Sequence, residues 1–102
     1  MYNCYIENGV IIAPNVVADG EKTTVKYKGL LYTSGADEVY MRMGYGPNWE
    51  DQKDIKMTKT SEGFEAQIPI TSPEKLNLAF KDSANNWDNN SGTNYSFYIE
   101  SK

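Results

Sequence analysis

Apolar and polar side chains alternate with period two in segment after segment of this chain, and clusters of Gly, Asn, Asp and Ser separate the segments. Successive side chains of an extended strand point to opposite faces, so the pattern predicts half-buried strands. No stretch longer than a turn or two carries the apolar period of an amphipathic helix, and the chain reads as all-β. Val39, Met41 and Met43 alternate with Tyr40, Arg42 and Gly44, which assigns the first three to the core and turns Tyr40 and Arg42 away from it. A hairpin is predicted next, with Ile55 and Met57 on one strand, turn chemistry from Thr60 to Gly63, and Phe64, Ala66, Ile68 and Ile70 on the other strand. Leu76, Leu78 and Phe80 form a further inward row, with Ala79 and Lys81 facing the other way. Tyr95, Phe97 and Ile99 form the last inward row, with Tyr98 outward.

The segment from Thr23 to Thr33 breaks the rule. Val25 and Tyr27 share one parity, Leu30 and Tyr32 the other, and Gly29 stands at the change, which predicts a β-bulge at Gly29. Short strands with turns at this spacing suit a single-domain, two-sheet antiparallel β-sandwich of immunoglobulin-like type. With no internal repeat, low-complexity tract or linker, one domain is expected over residues 1–102.

Composition then narrows the function. Eight tyrosines, three phenylalanines and two tryptophans in 102 residues are rich in aromatics, so the rings must be core, ligand surface or both. The formal net charge is −4 and the basic residues are scattered singly, which argues against a nucleic-acid partner. There is no histidine, so the commonest general base and transition-metal ligand are missing, and neither a cofactor nor a metal is expected. Cys4 is the only cysteine; it excludes an intramolecular disulfide, mildly favours a reducing compartment and leaves pairing between two chains open. The residues after Met1 read neither as a signal peptide nor as a membrane span, so no membrane partner is expected. A cytoplasmic protein and a module cut from a longer secreted enzyme both fit, and the oligomeric state is not written in the pattern.

Two segments stand out, Gly44 to Lys53 and Asp82 to Asn94, each read as a long polar loop carrying one tryptophan. A sugar ring presents a face of C–H bonds that packs on an aromatic plane, while its hydroxyls need short polar groups. Trp87 beside Asp88, Asn89 and Asn90 supplies both, and Trp49 follows the outward Arg42 in an equally polar setting. Trp87 folded back as a lid on the core, with its asparagines capping turns, stands as the alternative. Calcium bound by Asp82 and Asp88 lacks the acidic spacing of a calcium loop, and these two acids are read instead as holders of loop backbone amides.

The strand Val39-Tyr40-Met41-Arg42-Met43-Gly44 followed by Asn48-Trp49, and the run Phe80-Lys81-Asp82, Trp87-Asp88-Asn89-Asn90, Gly92 and Asn94-Tyr95, resemble the carbohydrate-binding modules of family 25, with the family 53 modules of plant starch synthases next. The resemblance covers roughly Val25 to Ile99 and implies a β-sandwich that binds α-glucans such as starch, glycogen and malto-oligosaccharides without catalysis, as an appendage of amylases. It implies that Trp49 and Trp87 stack on glucose rings and that Asn89 and Asn90 make polar contacts. Arg42 stands where the family often has histidine, keeping a planar donor but adding a permanent charge. Strand parity sets Arg42 and Lys81 on the face away from their own strands' core rows, a placement that allows both to flank one groove; a solvated charge at a strand end is the alternative for Lys81. Three rivals remain: a protein-docking surface on a glucan-processing enzyme, for the same exposed rings; a glycosidase, for which Glu50, Asp51, Asp82 and Asp88 single out no pair; and a single-strand nucleic-acid binder, which the acidic balance opposes.

Overall fold

The structure, a computed structural model, describes residues 5–13 and 17–100. After a turn of 3-10 helix at Ile6–Asn8 come β1 (Val10–Ala13), β2 (Val17–Ala18), β3 (Lys22–Tyr27), one helical turn α1 (Leu30–Thr33), β4 (Val39–Tyr45), β5 (Glu50–Lys56), β6 (Thr58–Thr60), β7 (Gly63–Pro69), β8 (Leu76–Asp82), β9 (Trp87–Asp88), β10 (Tyr95–Phe97) and β11 (Ile99–Glu100). One sheet runs β1-β3-β7-β6 and the other β10-β8-β4-β5, with β9 added beside β8. Their pairings are antiparallel, and only the small β2–β11 pair is parallel among the described residues. The fold is the expected all-β sandwich.

Alternation explains how the two sheets meet. Val10 and Ile12, Val25 and Tyr27, and Phe64, Ala66 and Ile68 are buried from one sheet; Val39, Met41 and Met43, Leu76, Leu78 and Phe80, and Tyr95 and Phe97 are buried from the other. They form one cluster. Fully burying a side chain of this size contributes about 1.5–3 kcal/mol, so these rows carry the fold. The rings of Tyr27 and Phe80 stack across the sheets at 4.2 Å between centroids. Of the last row, Tyr98 is exposed as expected and Ile99 is half-buried.

Three expectations are corrected. Ile55 and Met57 do not share a strand: Ile55 lies opposite Met41 in the β4–β5 pair, while β6 starts after Met57 and pairs with β7 in the other sheet. Met57 sits buried at the crossing and donates its N–H to the Val39 carbonyl at 2.9 Å. Parity is the same whichever sheet a strand joins, so it does not name the partner. The turn itself stands where expected, with Thr60 Oγ1 accepting from Glu62 N and donating to Gly63 O.

No bulge forms at Gly29. The β3–β7 ladder ends at Tyr27 opposite Phe64, and the chain turns into α1, where Thr33 N donates to Gly29 O at 3.0 Å. The parity change marks a strand giving way to a helical turn. Leu31, not Leu30, therefore enters the core, and Leu30 is left 58% exposed. A register shift does occur between Met43 and Tyr45 in the β4–β5 pair.

The two tryptophan segments are shorter loops than expected. β4 runs to Tyr45 and β5 begins at Glu50, so Lys53 is a strand residue opposite Met43. Trp87 stands on β9, opposite Lys81, with Asp88 opposite Phe80. Cys4 lies outside the described residues. Among those described, no helix is long and apolar enough to cross a membrane.

Candidate functional site

The outer face of the five-stranded sheet carries the residues singled out above. Its cross-strand register sets Lys56, Tyr40, Lys81 and Trp87 in one row, Asp54, Arg42 and Ala79 in the next, and Gly44, Asn77 and Ser96 in a third. Arg42 grips Asp54 with both arms of its fork, Nε to Oδ1 at 2.7 Å and an Nη to Oδ2 at 3.0 Å. Lys81 Nζ adds a weaker approach to Asp54 at 3.7 Å. The hydrogen bonds from Arg42 hold the Asp54 carboxyl below its ordinary range. Both cations also lie over the Trp87 indole, Arg42 at 4.8 Å and Lys81 at 5.5 Å from its centroid. Such contacts contribute about 0.5–1 kcal/mol at exposed sites, enough to favour one ring position over its rotamers.

Trp87 has a second anchor beneath the surface. Asp88 is buried and accepts hydrogen bonds from the hydroxyls of Tyr27 at 2.6 Å and Tyr95 at 2.7 Å. Tyr27 Oη in turn accepts from Leu31 N at 3.0 Å. Burial first, and the Asp88 carboxylate second, push both phenols well above their ordinary value. As read from the sequence, Asp88 accepts from a loop backbone amide, Asn90 N at 3.4 Å, but its two short bonds come from the phenols, which the sequence did not show. Asp82 also behaves as read, accepting from Ala84 N, Asn86 N and Asn86 Nδ2, each at 2.9 Å. The Asn86 side chain, followed by its backbone amide, draws the Asp82 carboxyl below its usual range.

Trp49 is mounted differently. It ends the turn after β4 with φ 52°, a left-handed conformation unusual for a bulky residue. Its N–H bonds to Gly46 O at 3.2 Å, and the same carbonyl accepts from the buried Asn77 side chain at 2.8 Å. The ring lies against Gly44: a Cβ there would meet the Trp49 Cα, Cβ and Cε3 at 2.9 Å. Asn77 is fixed in turn by Ser96 Oγ, which donates to its Oδ1 at 2.9 Å.

Trp49 and Trp87 line one open depression of about 480 Å³ together with Arg42, Gln52, Ala79, Asn89 and Asn94. Four of the six expected residues, Arg42, Trp49, Trp87 and Asn89, are therefore brought together. Lys81 stays behind Trp87, beside Tyr40 and Asp54 in a neighbouring hollow. Asn90 lies outside the depression, its Nδ2 donating to Asn94 O at 3.1 Å. Sequence reasoning missed Gln52, Asp54 and Asn94. Gln52, Asp54 and Lys56 share one parity, which was the available signal, but it acquires meaning only once β5 is paired with β4.

Chemically, the depression offers two indole planes, the small Ala79 and the amide groups of Gln52, Asn89 and Asn94. Among the described residues no group of three or more His, Cys, Asp or Glu side chains comes together that would hold a metal ion.

The family profile described as Starch/carbohydrate-binding module (family 53) matches residues 23–78, more than half of the chain. An alpha-amylase of Clostridium acetobutylicum is 34% identical over 79 residues, covering 76% of this chain and 10% of that protein. An alpha-amylase of Niallia circulans is 29% identical over 80 residues, covering 76% of this chain and 6% of that protein. The chain thus spans a tenth or less of the length of these relatives. No solved structure matches it.

Proposed function

The chain belongs to the starch/carbohydrate-binding modules of family 53, and from that premise we propose that it holds α-1,4-glucans such as starch, glycogen and malto-oligosaccharides on a platform of Trp49 and Trp87, without catalysing a reaction. The observation that carries this reading is that both indoles line one open depression with Asn89, Asn94 and Gln52 at its edge. Glucose rings stack on the indoles through their C–H faces while the amides reach hydroxyls. Arg42 serves mainly beside the platform, because its fork is engaged by Asp54 and its plane lies over Trp87. Of the two motifs that carry the finer likeness to family 25, Val39 to Trp49 lies within the residues the family 53 profile matches and the run from Phe80 to Tyr95 lies beyond them. The similarity to short stretches of two alpha-amylases supports a role as one module of a larger starch-acting enzyme.

An aromatic contact beyond area burial contributes on the order of 1 kcal/mol, so two of them with exposed hydrogen bonds give a micromolar to millimolar dissociation constant. Pull-down on insoluble starch and fluorescence titration with maltoheptaose test the proposal. Wild type is expected to be retained and to change its tryptophan emission, and Trp49→Ala and Trp87→Ala each to lose about fivefold or more in affinity. Full retention by both variants would remove the platform. Emission that does not respond to maltoheptaose would favour a protein-docking surface.

A further inference from the structure

We infer that the hollow on the other side of the Trp87 hairpin is a second subsite of the same surface, taking further glucose units of a longer α-glucan; this rests on the α-glucan reading above. Among the described residues four large apolar side chains are exposed, Ile11, Leu30, Trp87 and Tyr98. Three of them, Ile11, Leu30 and Trp87, line this one hollow, whose volume is about 830 Å³. That falls within the roughly 300–1,000 Å³ of small-ligand sites. Gathering apolar surface in one concavity, when the core has no use for it, is the mark of a binding site. Leu30 is the clearest case, because α1 sends Leu31 inward and leaves Leu30 58% exposed at the edge of the hollow.

The opposite wall is polar. Asn89, Asn90 and Ser91 line it, so the hollow pairs apolar side chains with amide and hydroxyl groups, as the first depression does. Gly9 and Gly29 line it where the chain crosses itself. A Cβ on Gly9 would meet Lys28 O at 2.4 Å, and one on Gly29 would meet Asn8 O at 2.4 Å, so the close crossing of the two backbones requires glycine at both positions. Lys28 N donates to Gly9 O at 2.8 Å and locks the crossing. Continuity fixes the occupant: Trp87 and Asn89 line both this hollow and the two-tryptophan depression. A glucan resting on Trp87 has one site before it and one after it.

Calorimetric titration of wild type, Leu30→Asp and Ile11→Thr with maltotriose and with maltoheptaose tests the assignment. Both positions are exposed, so both variants are expected to fold as wild type does. Wild type is expected to bind maltoheptaose more tightly than maltotriose. Leu30→Asp is expected to weaken maltoheptaose about fivefold, and Ile11→Thr about twofold, with maltotriose unchanged. Equal loss for both sugars, or no loss for either, overturns the second subsite while the two-tryptophan platform stands. Failure of wild type to bind either sugar overturns both.

Discussion

Trp49 and Trp87 face one depression from unlike footings. Trp87 rides on a two-residue strand tied down from two directions: Asp88 next to it sinks into the core between two phenols, and Arg42 and Lys81 lie over its ring. Among the described residues Trp49 has neither a buried carboxylate beside it nor a cation over its ring; it depends on a left-handed backbone turn and on the missing side chain of Gly44. One indole is held by attraction, the other by the shape of its seat. The consequence is that the first footing fails by losing a partner and the second by gaining an atom.

The largest effect is expected where the bracing is buried. Asp88→Ala leaves the hydroxyls of Tyr27 and Tyr95 without their acceptor in the core, and an unsatisfied buried polar group costs about 1–3 kcal/mol. Urea denaturation should show a loss of about 2–4 kcal/mol, with maltoheptaose binding weakened through the Trp87 side of the depression. A loss below about 0.5 kcal/mol would mean that the phenols find other partners and that Asp88 does not brace the strand.

Gly44→Ala comes next and tests the other footing. Its Cβ would stand 2.9 Å from the backbone and ring of Trp49, and overpacking of this kind costs about 1–3 kcal/mol. Because the turn is the softer neighbour, Trp49 is expected to move, with affinity for maltoheptaose falling about fivefold and stability by about 1 kcal/mol. Fluorescence titration beside a thermal melt separates the two. Unchanged affinity would show that the seat is not what aims Trp49.

The same contrast explains what was legible in the sequence. The rows Val39, Met41, Met43 and Leu76, Leu78, Phe80 were readable because burial alternates with the pleat, and they placed Arg42 and Lys81 on the outer face. Pairing was not readable. Ile55 and Met57 keep one parity while the chain changes sheets between them, so the partner of Arg42 across β5 stayed hidden. Asp88 meets Tyr27 across a separation of 61 residues, which no local pattern encodes. At Gly29 the parity change was real, but a bulge and a helical turn both re-aim the following side chains, and only the bond from Thr33 N to Gly29 O decides between them. Trp49, Trp87 and Asn89 are legible as candidates because an aromatic plane among short polar groups matches the two sides of a sugar ring. Their footings lay in long-range contacts.

The smallest effect sharpens the comparison on the Trp87 side alone. The Arg42–Asp54 side chains are about a third exposed, 34% and 38%, so their pair contributes only about 0.2–1 kcal/mol to stability. Its sign is fixed by Asp54, whose carboxyl is held below the ordinary value of 3.8 by the Arg42 hydrogen bonds. A depressed folded-state value means that this contribution is present above the unfolded value and is lost as pH falls through the lower, folded one. Protonation would leave Arg42 and Lys81 as two uncompensated cations beside Trp87. Wild-type affinity for maltoheptaose is therefore expected to fall about twofold on acidification below pH 3.8, whereas Asp54→Asn should begin about twofold weaker at neutral pH and stay level. Parallel acid profiles for the two proteins would show that the pair does not position Trp87, and would leave Asp88 as the footing that matters.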